Sequence, residues 1–115
     1  MKKLTIILLM GSMVVFQYCH TTKKASKSAN SATITYVGNI QPIVASACTP
    51  CHFPPKGSKK PFDSYTAVKS DIDDIIARVQ KNPGEKGFMP AMHPKLSDST
   101  IQLFVQWKNQ GLIER

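Results

Sequence analysis

Five consecutive residues carry the most chemistry in this chain: Cys48-Thr49-Pro50-Cys51-His52. Two thiols three residues apart can reach two vinyl groups of one porphyrin and form thioethers with them. The imidazole directly after the second thiol then lies under the iron as its proximal ligand. Cys-x-x-Cys-His is the spacing of covalent c-type haem attachment. Three other chemistries use similar residues. A thioredoxin-like redox pair sits at a strand-to-helix turn of a βαβ unit, and no alternating strand pattern surrounds this pair. A structural disulfide between Cys48 and Cys51 leaves His52 without a role. A zinc site needs a fourth ligand beside Cys48, Cys51 and His52, and His93 could supply it.

An iron held by His52 has a sixth position to fill. Beyond the N-terminal segment the chain has two methionines, Met89 and Met92, and two other histidines, His20 and His93. All but His20 fall within Phe88-Met89-Pro90-Ala91-Met92-His93, a Pro-bounded stretch that could fold over the open face of a porphyrin. Met89, Met92 and His93 are thus the candidates. A thioether in that position favours ferrous iron and raises the potential.

The elements that must hold these residues are helices joined by long loops. Ile40, Ile43, Val44 and Ala47 form an apolar stripe at i, i+3, i+4 and i+7, which predicts a helix over 40–47 capped by Asn39, with Pro42 in its first turn. Residues 53–62 hold Pro54, Pro55, Gly57 and Pro61 and read as a loop. A short helix is expected over 64–69. A better one is expected over 71–81, with Asp71, Asp73 and Asp74 in its first turn, Arg78 and Lys81 in its last, and Ile72, Ile75, Ile76 and Val79 as its buried stripe. Asn82-Pro83-Gly84 ends it. Residues 85–96 are irregular. Ser97 then caps a helix over 98–110 that Gly111 closes. Ile101, Phe104 and Val105 share one face of it, with Leu103 and Trp107 adjoining.

The first 19 residues read as a targeting signal. Lys2 and Lys3 precede a 13-residue apolar run from Leu4 to Phe16, a secretory length too short to span a bilayer comfortably. No Ala-x-Ala cleavage site follows. Cys19 does, and a Cys after such a run resembles a bacterial lipoprotein signal, in which that Cys carries lipid. The Tyr18 before it departs from the pattern, where a small residue is usual. Residues 20–33 read as a flexible polar tether: Thr21 to Ala32 contains only Lys, Ser, Thr, Ala and Asn. Twelve such residues reach roughly 20 Å and extend to about 40 Å. The folded domain is expected over residues 34–115. Five of the 15 basic residues lie in the signal and tether. The remaining 10 against 7 acidic ones leave +3 of the net +8, so the bulk charge is no argument for a nucleic-acid partner. About 80 residues with few aromatics make a marginal core, and a buried porphyrin would add the missing apolar mass.

Taken in order, Cys48 to His52 near the domain's start, Phe88-Met89-Pro90, then Leu96-Ser97 leading into a helix with Trp107 and a closing Gly111, resemble a small class I cytochrome c of the exported bacterial, single-haem kind. The resemblance spans about Tyr36 to Ile113. It implies an all-α, class I cytochrome c-like fold of three to four helices with long loops wrapped around one covalent haem c. It implies that Cys48 and Cys51 bind the haem, that His52 is the proximal iron ligand and that Met89 is the distal one, because the family's ligand commonly precedes a Pro. Met92 and His93 stand as alternatives. It also implies that the first helix crosses the last, setting Ile40 and Val44 against Phe104 and Trp107. The family often has a Gly and an aromatic on that first helix, so Ile40 and Val44 imply a less close crossing. A backbone carbonyl, with Pro61 as the candidate, should orient His52.

The implied function is transfer of single electrons, with no catalytic residue, because a six-coordinate iron leaves no place for a substrate. The competing readings are a haem protein with an absent or labile distal ligand, acting on peroxide or sensing a small gas, and a zinc-stapled exported binding module. The expected partners are redox proteins, acidic ones if Lys56, Lys59 and Lys60 rim the haem edge. A monomer or a subunit of a larger redox complex is expected. The expected place is the periplasm or cell surface, tethered to the membrane through the N-terminal segment.

Overall fold

The computed structural model describes residues 32–115. The expected targeting signal, with Cys19 as its expected lipid site, and the expected tether up to residue 31 lie outside the described residues. Among the described residues the architecture is all-α: a π-helical turn over Tyr36–Ile40 runs into α1 (Gln41–Ala47), followed by α2 (Tyr65–Ser70), α3 (Ile72–Val79) and α4 (Asp98–Asn109), with no strand. None of these helices is long and apolar enough to cross a membrane.

The first helical segment starts earlier than its apolar stripe suggests. Thr35 is extended, and its Oγ1 accepts a hydrogen bond from the Gly38 N–H at 3.1 Å. Asn39, the expected cap, acts from inside the segment: its Oδ1 accepts from the Thr35 N–H at 2.9 Å. The two side chains satisfy opposite ends of the same opening turn, as in a capping box. Pro42 sits in the first turn of α1, where no N–H is required.

In α3 the stripe is as expected, with Ile72, Ile75 and Val79 buried and Ile76 partly so. Asp73 and Asp74 occupy its first turn, and Arg78 in its last turn pairs with Asp74 at 2.6 Å. The helix stops at Val79, two residues short of the expected end. In α4, Ser97 caps as predicted, its Oγ accepting from the Thr100 N–H at 3.2 Å. The buried face is Ile101, Phe104 and Trp107, while Val105 is only half-buried. The face is thus turned toward Trp107, because that indole is the centre of the aromatic packing.

Tyr36, Tyr65 and Trp107 pack within 5.5–6.2 Å between ring centroids. Trp107 is fully buried, and its Nε1–H donates to the Ile113 carbonyl at 2.8 Å. The ends of the domain are stitched across this cluster. The Tyr36 N–H donates to Ile113 O (2.8 Å), the Val37 N–H to Glu114 O (3.1 Å) and the Tyr65 hydroxyl to Leu112 O (2.8 Å). Gly111, at φ +92°, makes the left-handed turn that brings this tail back. Within the first helical segment it is the π-helical turn that packs against α4, which α3 also contacts. Ile40, Val44, Phe104 and Trp107 do share one core, and the aromatic and the glycine of the segment, Tyr36 and Gly38, fall ahead of Ile40 and Val44.

Candidate functional site

The Cys48–His52 segment extends the end of α1. The Cys48 N–H donates to Val44 O and the His52 N–H to Cys48 O, both at 3.0 Å, so the two cysteines and the histidine sit on tight consecutive turns. Thr49 ties back to α1 through its hydroxyl, which donates to Ala45 O at 3.1 Å. Both cysteines are free thiols. Cys48 packs against the core, and burial pushes its thiol up to about 11. Redox cysteines of the thioredoxin kind need the opposite shift, toward thiolate.

His52 is held on three sides by the loop that follows it. The loop returns alongside the Cys48–His52 segment, the Lys59 N–H donating to Cys51 O (3.1 Å) and the Phe62 N–H to His52 O (2.9 Å). That register brings the Lys60 carbonyl to the imidazole, where Nδ1 donates to it at 2.6 Å. The orienting carbonyl is therefore that of Lys60 and not of Pro61, one residue on. Phe62, buried, stacks flat on the imidazole, with centroids 4.3 Å apart and planes 7° off parallel. A proton committed to Nδ1 leaves the lone pair on Nε2, the nitrogen a metal would take. Gly57 makes the return possible: a Cβ there would fall onto the carbonyl oxygens of Pro50 and Cys51.

His52 opens onto a cleft of about 400 Å³. Cys48, Cys51, Phe62, Ile75 and Val79 line it, and so do Met89, Pro90, Met92 and His93. All six residues singled out for cofactor chemistry, some 40 positions apart in the chain, thus meet at one cleft. They are not equivalent there. Met89 is half-buried, and its N–H donates to Arg78 O at the end of α3 (3.3 Å). Met92 is 73% exposed, its sulfur 3.9 Å from the Cys51 thiol. His93 Nε2 donates to Thr49 O at 2.9 Å. Among the described residues no group of three or more His, Cys, Asp or Glu is placed to hold a metal ion, so the four-ligand set that zinc needs is not assembled.

The lysines of the loop divide. Lys59 and Lys60 line the cleft, and Lys60 is neutralised by an ion pair with Asp71. Lys56 borders a second hollow, with Phe53, Pro54 and Pro55. Of the three lysines of the loop, Lys59 and Lys60 border the cleft and Lys56 does not.

Sequence reasoning missed Phe62, Gly57 and the Lys60 carbonyl. Phe62 had a signal: it is the only large apolar residue among 54–62, and a lone aromatic in a Pro-rich loop needs something to pack on. The carbonyl had none, because its role depends on register alone. Comparison of the chain with protein-family models, with curated proteins and with solved structures finds no match.

Proposed function

We propose that residues 34–115 form a class I c-type cytochrome domain that carries single electrons on one covalently bound haem c. The observation that carries this reading is the convergence of Cys48, Cys51, His52 and Met89 on one cleft, with His52 Nε2 left as the free nitrogen. The residues fit the group. The cleft volume lies within the roughly 300–1,000 Å³ of cofactor sites, and its lining is mostly apolar.

When bound, the haem iron supplies a one-electron ferric–ferrous couple. The chain's residues do the rest. Cys48 and Cys51 form the thioethers. His52 ligates through Nε2, its ring fixed by the Lys60 carbonyl and by Phe62. Such a hydrogen bond also raises the basicity of the ligating nitrogen. Met89 would supply a thioether ligand to the iron; its partial burial and its anchored backbone favour it over exposed Met92. Ile75 and Val79 exclude water from the cleft. Lys59, at the cleft, offers positive charge for transient docking of acidic redox partners. Export, a lipid on Cys19 and a tether to the periplasmic or cell-surface membrane belong to the same proposal.

The test is intact-mass analysis of the exported protein made with attachment machinery. The expected result is a mass gain of one haem that survives denaturation and maps to the peptide holding Cys48 and Cys51. It should vanish when both are changed to Ser. An exported protein with no haem, or with stoichiometric zinc, would overturn the reading.

A further inference from the structure

We propose that His93 is a positioning residue: its ring latches the Met89-bearing loop to the attachment segment, and so keeps the Met89 sulfur in place. The proposal rests on the haem reading given above, with Met89 as the sixth ligand.

The loop from Met89 to His93 is tied at both ends, to two different elements. At its start, the Met89 N–H donates to the Arg78 carbonyl, in the last turn of α3. At its end, His93 Nε2 meets the Thr49 carbonyl at 2.9 Å, a contact between residues 44 positions apart. A carbonyl can only accept, so Nε2 carries the proton. That proton takes Nε2 out of the pool of iron ligands and gives His93 a different task. The His93 N–H closes the loop on itself, donating to Pro90 O at 3.4 Å. Thr49 is in turn fixed to α1 by its hydroxyl on Ala45 O.

A continuous path therefore runs from α3 through Met89 and His93 to Thr49 and α1. Its far anchor is special. Thr49 lies between the two cysteines, so its carbonyl is fixed relative to a porphyrin once both thioethers have formed. The latch thus references the position of the distal sulfur to the same short segment that positions the porphyrin. Without it the loop keeps the Met89 N–H bond, the burial of Pro90 and the weak Met92–Cys51 sulfur contact, and a loop with its far end untied opens more often. A hydrogen bond of ordinary net strength corresponds to about a fivefold change in that opening.

The test uses full-length holoprotein and three single variants. His93→Leu removes the donor, His93→Asn keeps an amide too short to reach Thr49, and His93→Gln keeps an amide of similar reach. The readout is the sulfur-to-iron charge-transfer band of the oxidised protein, titrated with imidazole as a competing ligand. The expected result is that all three keep the band. Imidazole should displace it at about fivefold lower concentration in His93→Leu and His93→Asn, and within about twofold of wild type in His93→Gln. His93→Asn carries the comparison if His93→Leu yields no holoprotein.

Three results would overturn the latch. One is equal imidazole affinity in all variants, even alongside a lower melting temperature, which would make His93 merely structural. Another is loss of low-spin character in His93→Leu while Met89→Ala leaves the spectrum unchanged, which would make His93 the ligand. The third is a wild-type protein without haem, seen before any variant is compared, which defeats the underlying reading itself.

Discussion

Two regions of this domain are built by different means. Around Tyr36, Tyr65 and Trp107 the ends of the described domain are joined by aromatic and aliphatic side chains that are buried or, like Tyr65, partly so, and the hydrogen bonds there merely satisfy what burial leaves over. Around the cleft the side chains that matter are half-buried. The His52 and His93 rings are aimed by single hydrogen bonds to the Lys60 and Thr49 carbonyls, and Met89 is anchored through its backbone N–H to the Arg78 carbonyl. One region stores stability, and the other stores orientation. A substitution in the first should cost folding free energy without changing what the cleft binds. In the second it should change ligation at a smaller cost.

Trp107→Ala breaks the comparison hardest. It removes the largest fully buried side chain and one of the two hydrogen bonds to the Ile113 carbonyl, so the domain should lose about 3–5 kcal/mol in urea unfolding. Any molecule still folded should keep an unchanged visible spectrum. Gly57→Ala comes next. Its methyl collides with the Pro50 and Cys51 carbonyls, and overpacking of this kind costs about 1–3 kcal/mol. Because the collision falls on the attachment segment, the yield of holoprotein should drop more than the melting temperature does. A normal yield beside a large loss of stability would place Gly57 with the core instead.

Phe62→Leu is smaller and more selective. It keeps apolar volume but deletes the stack on His52, at about 1 kcal/mol. The sharper readout is the reduction potential, which should shift, whereas Ser97→Ala, at a similar cost of about 1 kcal/mol through loss of the α4 cap, should leave it alone. Equal potentials in the two variants would erase the distinction between the regions. The smallest effect belongs to Lys59→Gln. Stability should stay within about 0.5 kcal/mol, while electron transfer to an acidic partner slows and loses part of its salt dependence in stopped-flow kinetics.

The same division decides what was legible in the sequence. The helices of the core announce themselves by period: Ile72, Ile75 and Val79 could hardly face different ways, and Ser97 and Gly111 mark the ends of α4. Ile40 and Val44 were legible as core, but Tyr36 was not, because the π-helical turn that carries it has no periodic signature. That Cys48, Cys51, His52 and the Met89–His93 stretch could meet was legible from their spacing and residue types, and all of them line one cleft. Their supports were not, since a carbonyl is the same atom in every residue and only register selects Lys60 over Pro61 or assigns Thr49 to His93.

The most direct test of the central claim is the absorption spectrum of the exported holoprotein, oxidised and reduced, beside that of Met89→Ala. A His52/Met89 electron carrier predicts sharp low-spin bands in the reduced wild type and a far-red sulfur-to-iron band in the oxidised one, with that band lost in the variant. A high-spin wild type, or a low-spin spectrum that Met89→Ala leaves unchanged, would contradict it.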